Sequence, residues 1–112
     1  MVVLDTNVVI EKIRSKQEIL ENITEITVLE FPPTLKYQKF YGKIYYLTRK
    51  DLELALKIQI KLRRRGKQKP IPDLLIASIC INRNERLITK DVDFLDIAKV
   101  SNFKVKIVGR DL

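Results

Sequence analysis

Histidine and tryptophan are absent from the 112 residues, and cysteine occurs once, at Cys80. Without histidine there is no Ser-His-Asp triad, no Cys-His pair, no paired-histidine ribonuclease site and no histidine-containing zinc site. A lone Cys80 excludes an intrachain disulfide and favours a reducing compartment. Glycine (3) and proline (4) are scarce, which excludes low-complexity tracts and long disordered stretches. Long apolar runs are missing as well. The longest, Leu74 to Ile81, has eight residues with Ser78 inside it, against about 20 for a membrane span. No basic flank precedes an apolar segment at the N-terminus, so no signal peptide is expected. The expectation is a cytoplasmic protein with no membrane partner. With 46% apolar and 32% charged residues, the chain reads as one small globular domain spanning 1–112.

Charge is plentiful and uneven. The 22 basic and 14 acidic residues give a net +8. Between Lys36 and Lys69, twelve cations face only Asp51 and Glu53, whereas the rest of the chain is slightly acidic. A basic segment of this kind is the footprint expected for a nucleic-acid partner, although a solvated Lys/Arg face has the same composition. Its densest part, Arg63, Arg64, Arg65, Lys67 and Lys69 around Gly66, is a candidate for binding nucleic-acid phosphates, or alternatively a complement to a helix C-terminus. Tyr37, Tyr41, Tyr45 and Tyr46 fall close together with Lys39, Phe40 and Lys43. Such rings stack on bases; for Phe40 and Tyr45 a core position is the preferred reading.

Strand and helix patterns alternate along the chain. Val2 to Leu4 reads as a buried strand ending at Asp5-Thr6-Asn7, and Val8 to Arg14 as a helix. Ile23 to Thr27 reads as a strand, with Thr27 and Glu30 spaced as a capping box and Pro32-Pro33 shortening the helix that follows. Lys43 to Leu47 suggests another strand, and Thr48 with Asp51 a helix start. Leu52 to Leu62 alternates as a strand would, but its length, its helix-forming residues and Gly66 as a stop favour a helix. That helix is apolar on two sides, one for the core and one for a second subunit. Asp73 is expected to start a helix through Ile81, Arg86 to Thr89 to form a strand, Asp93 to Lys99 a short helix and Lys104 to Val108 a last strand. The order predicts an α/β fold with a largely parallel sheet.

Open α/β sheets bind ligands at the carboxyl ends of their strands, where Asp5 and Asp91 are expected. Each acid has a local explanation as a turn or cap residue. Gathered together, they would repel by roughly 1 kcal/mol per pair in water and about 4 kcal/mol at an effective dielectric of 20. Such a cluster calls for protons or a divalent cation. Mg²⁺ or Mn²⁺, which take oxygen ligands, would equip it for in-line attack on a phosphodiester. A Mg²⁺-dependent phosphatase is a weaker fit, because the first strand ends Asp5-Thr6-Asn7 rather than in two acids flanking one residue.

Four segments carry a resemblance. Val3-Leu4-Asp5-Thr6-Asn7-Val8-Val9-Ile10, Ile26-Thr27-Val28-Leu29-Glu30, Ile71-Pro72-Asp73-Leu74-Leu75-Ile76-Ala77 and Ile88-Thr89-Lys90-Asp91-Val92-Asp93-Phe94 resemble, in order, the motifs of PIN-domain nucleases, above all the VapC-type toxins of toxin–antitoxin pairs. The resemblance implies a PIN-like α/β/α sandwich with a central, mainly parallel sheet. It implies a Mg²⁺- or Mn²⁺-dependent endoribonuclease leaving 5′-phosphate and 3′-hydroxyl ends. Asp5, Glu30, Asp73, Asp91 and Asp93 would be its catalytic acids, with Asp5, Asp73 and Asp91 on the metal and Asn7 and Thr89 as supporting polar residues. It also implies an RNA substrate, a cognate antitoxin and a homodimer. Two features depart from the pattern: a shortened loop before Asp73, and Pro32-Pro33 beside Glu30. They keep open the alternative of a non-catalytic module that binds RNA or an antitoxin.

Overall fold

The computed structural model describes residues 1–109; the last three residues of the expected 1–112 domain lie outside the described residues. Five strands and five α-helices follow in the order β1 (Val2–Leu4), α1 (Thr6–Arg14), β2 (Ile23–Thr24), α2 (Glu25–Glu30), β3 (Ile44–Tyr45), α3 (Arg49–Arg64), α4 (Ile71–Asn82), β4 (Arg86–Thr89), α5 (Phe94–Ala98) and β5 (Lys104–Ile107). All strand pairings are parallel: β1 with β4, β4 with β5, and β2 with β3. The Leu4 N–H to Asn22 carbonyl bond (2.9 Å) and the Asn22 N–H to Val2 carbonyl bond (3.1 Å) stitch β2 to β1. The strand order is therefore β3-β2-β1-β4-β5, which reverses direction between β1 and β4. In open α/β sheets such a reversal marks where a ligand crevice forms, here at the carboxyl ends of β1 and β4.

Neighbouring strand residues point to opposite faces, and both faces are covered. Val3 and Leu87 are buried with Ile58, Leu62, Ile76, Ile79 and Phe94 from α3, α4 and α5. Leu4 packs on the other side with Val8 and Val9 of α1 and with Ile19 and Ile23. A strand buried on both faces needs no polar alternation, which is why Val2-Val3-Leu4 is wholly apolar.

Helix ends follow from side-chain chemistry. Thr48 and Asp51 form the expected capping box at the start of α3. Its end is a Schellman arrangement: Gly66 takes φ +66°, with the Gly66 N–H bonded to the Arg63 carbonyl and the Lys67 N–H to the Leu62 carbonyl. Asn84 and Lys16 occupy the corresponding left-handed positions after α4 and α1, at φ 54° and 57°.

Several boundaries differ from the sequence reading, with α1 beginning at Thr6 rather than Val8 and β3 shortened to Ile44–Tyr45, and two of them bear on the acids. The second strand stops at Thr24, whose hydroxyl caps α2. Glu30 consequently lies in the last turn of α2, not its first. The earlier start buries Ile26 and Thr27, and the helix breaks at Phe31 so that Pro32 and Pro33 open a short 3₁₀ segment, Pro32–Lys36, where their missing N–H groups leave no bond unmade. Likewise α4 begins two residues before Asp73, with Pro72 in its first turn.

Of the two apolar stripes on α3, Ile58 and Leu62 enter the core with Leu54 packed against it. Leu52, Leu56 and Ile60 remain 50%, 63% and 44% exposed. Among the described residues no helix is long and apolar enough to cross a membrane.

Candidate active site

Asp5 stands at the end of β1, where its N–H bonds to the Ile88 carbonyl of β4 (2.9 Å). It also caps α1: Oδ1 accepts the Thr6 N–H at 2.8 Å. Oδ2 accepts from the Thr89 hydroxyl at 2.7 Å, and Thr89 is the last residue of β4. The Thr89 oxygen in turn accepts the Asp91 N–H at 3.0 Å, and Asp91 Oδ1 accepts the Asp93 N–H at 2.9 Å. One chain of hydrogen bonds thus links the end of β1 to the loop after β4.

A second chain positions Glu30. The Thr6 hydroxyl donates to Glu30 Oε1 at 2.7 Å, so the 2.8 Å contact between Thr6 and Thr27 has Thr27 as donor. Thr6 is the residue that motif reading passed over. Its signal was available: it follows the capping Asp5 directly, where its hydroxyl faces the same crevice. Asn7 is exposed and lines a neighbouring cavity of about 490 Å³ with Arg14 and Lys90.

The acids form a depth gradient. Asp5 is buried, Asp73 and Asp91 are half-buried, and Glu30 and Asp93 are exposed at the rim. Burial raises the Asp5 pKa; its bonds from Thr89 and Thr6 oppose the rise, and the Glu30 and Asp91 charges add to it. Asp73 is pushed up to about 6, first by burial and then by the charges of Asp5, Asp91, Glu30 and Asp93. An acid in the first turn of a helix is ordinarily favoured as the anion, so here desolvation and like charge outweigh the helix. The five acids are therefore within electrostatic reach across one crevice. Among the described residues, however, no three acid or thiol side chains are assembled into a ready-made metal cage. Asp5 spends two of about four lone-pair sites on Thr6 and Thr89, which leaves each oxygen one further contact.

The other sequence candidates divide. Arg64, Arg65 and Lys67 are exposed and line cavities beside α5. Arg63 is exposed as well. Lys69 has a different partner: its ammonium pairs with Asp96 at 2.7 Å and is largely buried, while its backbone N–H and carbonyl bond to the Gln59 side chain. It clasps the α3–α4 loop, because a half-buried ammonium needs a fixed counter-charge. Tyr45 donates to Glu85 at 3.0 Å under Arg83, Tyr37 and Phe40 pack on the α1-side core, and Tyr41 and Tyr46 are exposed. Burial pushes the Cys80 thiol up, consistent with inert core.

No protein-family model matches the sequence, and no curated protein sequence matches it. Solved structures do. A chain of VapBC-5 from Mycobacterium tuberculosis, a member of the VapBC family of toxin–antitoxin systems, superposes with a TM-score of 0.75 at 21% identity, covering 96% of this chain and 98% of that one. VapBC2 from Rickettsia felis, solved bound to a DNA fragment from its promoter, gives 0.74 at 19% identity with the same coverage. FitAcB from Neisseria gonorrhoeae gives 0.73 at 19% identity, covering 94% and 96%. Over nearly its whole described length, the chain has the α/β fold with a parallel sheet seen in these VapBC-type structures, as the four motifs implied.

Proposed function

We propose that the protein is a metal-dependent endoribonuclease acting as the toxin of a toxin–antitoxin pair. The observation that carries this reading is the carboxylate crevice at the carboxyl ends of β1 and β4, where mutual charge and burial hold Asp73 at a pKa of about 6. The donor set is all hard oxygen, which suits Mg²⁺ or Mn²⁺. Asp5, Asp73 and Asp91 would hold the ion, and when bound it supplies an acidified water and charge neutralisation at the scissile phosphate. The chain's own contributions are positional. Thr89 fixes the rotamer of Asp5. Thr6, held by Thr27, fixes Glu30 at the rim, and Asp93 stands beside it as a further acid facing solvent. Arg64, Arg65 and Lys67 hold the RNA backbone.

Partners follow from the same fold. One of the similar structures, VapBC-5, belongs to a family of toxin–antitoxin systems, so a cognate antitoxin is the expected protein partner. The exposed Leu52, Leu56 and Ile60 of α3 are the face a second copy would cover in a homodimer.

Incubating the protein with single-stranded and structured RNA in Mg²⁺ or Mn²⁺ tests the reading. Cleavage leaving 5′-phosphate ends, abolished by EDTA and by Asp5→Asn, is expected. Cleavage indifferent to both would sink it. The second reading, a non-catalytic binding module, is favoured by one observation, the lack of a preassembled cage among the described residues. RNA or antitoxin binding without turnover, and without any stabilisation by Mn²⁺, would establish it instead.

A further inference from the structure

Two cavities of about 410 and 370 Å³ lie end to end along one flank of α3. They share Lys61 and Val100, and between them present Lys57, Lys61, Arg64, Arg65 and Lys99 with no carboxylate in the lining. Lys61 Nζ approaches the Val100 carbonyl to 3.5 Å, so its ammonium spans the gap between α3 and the loop after α5. Lys57, Lys61, Arg64 and Arg65 make no ion pair among the described residues, and Lys99 reaches Asp96 only at 4.0 Å. Asn102 lines the larger cavity and supplies a neutral amide donor, whereas the Ser101 hydroxyl donates to the Ile97 carbonyl at 2.6 Å.

The groove leads towards the acids. A third, smaller cavity of about 120 Å³ adjoins it through Arg65 and Lys99 and adds Lys67. Its single acid, Asp96, is already neutralised by Lys69 at 2.7 Å. From there α5 runs back to Asp93; six residues at 1.5 Å each place Lys99 about 9 Å along the helix from that rim acid.

The groove meets the apolar stripe only at Arg64, which lies four residues and about 40° on from Ile60. Successive helix positions differ by about 100°, so Lys57 and Lys61 are one such step round from Leu56 and Ile60. A second copy seated on the stripe would therefore leave Lys57 and Lys61 on another side of the helix and meet the groove only at Arg64. Arg63 lies about 160° from Lys61 and does not belong to the track.

We propose that this groove is a strand-binding track which grips single-stranded RNA by its phosphates and feeds it to the carboxylate crevice. The identity of the polymer rests on the ribonuclease reading. A solvated helix face would present cations on a convex surface, whereas these exposed side chains line a concavity bordered by a second element, with one distant carboxylate, Asp96, 4.0 Å from Lys99. A flexible polyanion fits that shape and charge better than a duplex, which is wider and stiffer.

The test uses full-length Asp5→Asn protein in EDTA, so that RNA stays intact, and a fluorescein-labelled oligouridylate as probe. Each phosphate contact contributes roughly −0.7 to the slope of log affinity against log salt on a single strand. Replacing Lys61, Arg64 and Lys99 with Gln should flatten that slope by about 2, while Arg86→Gln, at the amino end of β4, should leave it unchanged. Circular dichroism of each variant checks that folding is retained. An unchanged slope in the triple variant, or an equal change from Arg86→Gln, overturns the track. So does a groove occupied by polyglutamate while the oligouridylate fails to bind, which would assign it to an acidic peptide. Failure of the nuclease reading looks different: no cleavage by the unmodified protein in Mg²⁺ or Mn²⁺, with the slopes as expected.

Discussion

Asp73→Asn should make the metal-free protein more stable, and only above acid pH. An aspartate ordinarily titrates near 3.8, but in the folded chain burial and the charges of Asp5, Asp91, Glu30 and Asp93 hold Asp73 at about 6. Between these values the native state binds a proton that the unfolded chain has released, so stability falls as pH rises through that window. Below it both states are protonated and nothing is lost; above about pH 6 the whole penalty is present. A shift of this size corresponds to roughly 3 kcal/mol, and solvent on the open side of a half-buried carboxyl screens it to about 1–2 kcal/mol. The amide keeps the shape of the side chain and discards its charge. In EDTA at pH 8, Asp73→Asn is therefore expected to melt about 4–8 °C above the unmodified protein, with the gain shrinking towards zero at pH 4. Saturating Mn²⁺ should reverse the order: at a hundred times its dissociation constant a ligand adds about 2.7 kcal/mol, and only the intact acid set collects it in full. Differential scanning calorimetry at the two pH values, with and without Mn²⁺, reads all of this. A variant less stable than its parent at pH 8, or a gain that persists unchanged at pH 4, would refute the claim that crowded charge destabilises the crevice.

Four further outcomes follow from particular contacts. Asp51 is fully buried, its charge opposed by burial but held by bonds from Arg83, Asn82 and Thr48, which together lower its pKa. Asp51→Ala strands the Arg83 guanidinium and removes the cap of α3, so urea unfolding should show a loss of about 3–5 kcal/mol. Because the folded value lies below the usual one, the stability Asp51 supplies above pH 4 disappears as the pH drops through that lowered value, and an acid titration of the unmodified protein should show it. Lys16 sits at φ 57° in the position after α1 where glycine is favoured, and Lys16→Gly should raise stability by about 1 kcal/mol. A Cβ on Gly42 would stand 1.8 Å from the Glu21 carbonyl oxygen, and Gly42→Ala should cost roughly 1–3 kcal/mol by forcing β2 and β3 apart, measured by thermal melting. Thr89→Val deprives Asp5 of the donor that holds its pKa down. The acid limb of the cleavage profile should then move to higher pH, a change that simple loosening of the fold would not produce.

The architecture was largely legible because its signals are local. The wholly apolar Val2-Val3-Leu4 strand, the Thr48–Asp51 box and Gly66 as a stop each state their structure within a few residues. Asp5 and Asp91 were legible for a topological reason, since a doubly wound sheet exposes whatever follows its strands at the crevice. The boundary of β2 was not, because Thr24 and Thr27 are both competent caps. What decides between them is a tertiary bond, Thr27 to Thr6, across twenty-one residues. Lys69 misled for a similar reason: composition places it in a cationic run, and only the fold shows Asp96 beneath it.

α3 shows the same limit most sharply. Its strict alternation of leucines and isoleucines is ambiguous between strand and helix, and once wound as a helix it sets one stripe in the core and the other in solvent. The cations between those stripes look in sequence like ordinary surface charge. They become a groove only because Lys99 to Asn102, some forty residues later, stand beside them. On the proposed reading, function rests on two kinds of coincidence: acids brought together at the ends of strands, and cations ranged beside a distant loop. The first disfavours the folded state, and the second collects positive charge without counter-charge. Both are arrangements that folding alone would not select, and each would be relieved by a ligand of opposite charge: on the proposed reading, a divalent cation in one and a phosphate backbone in the other.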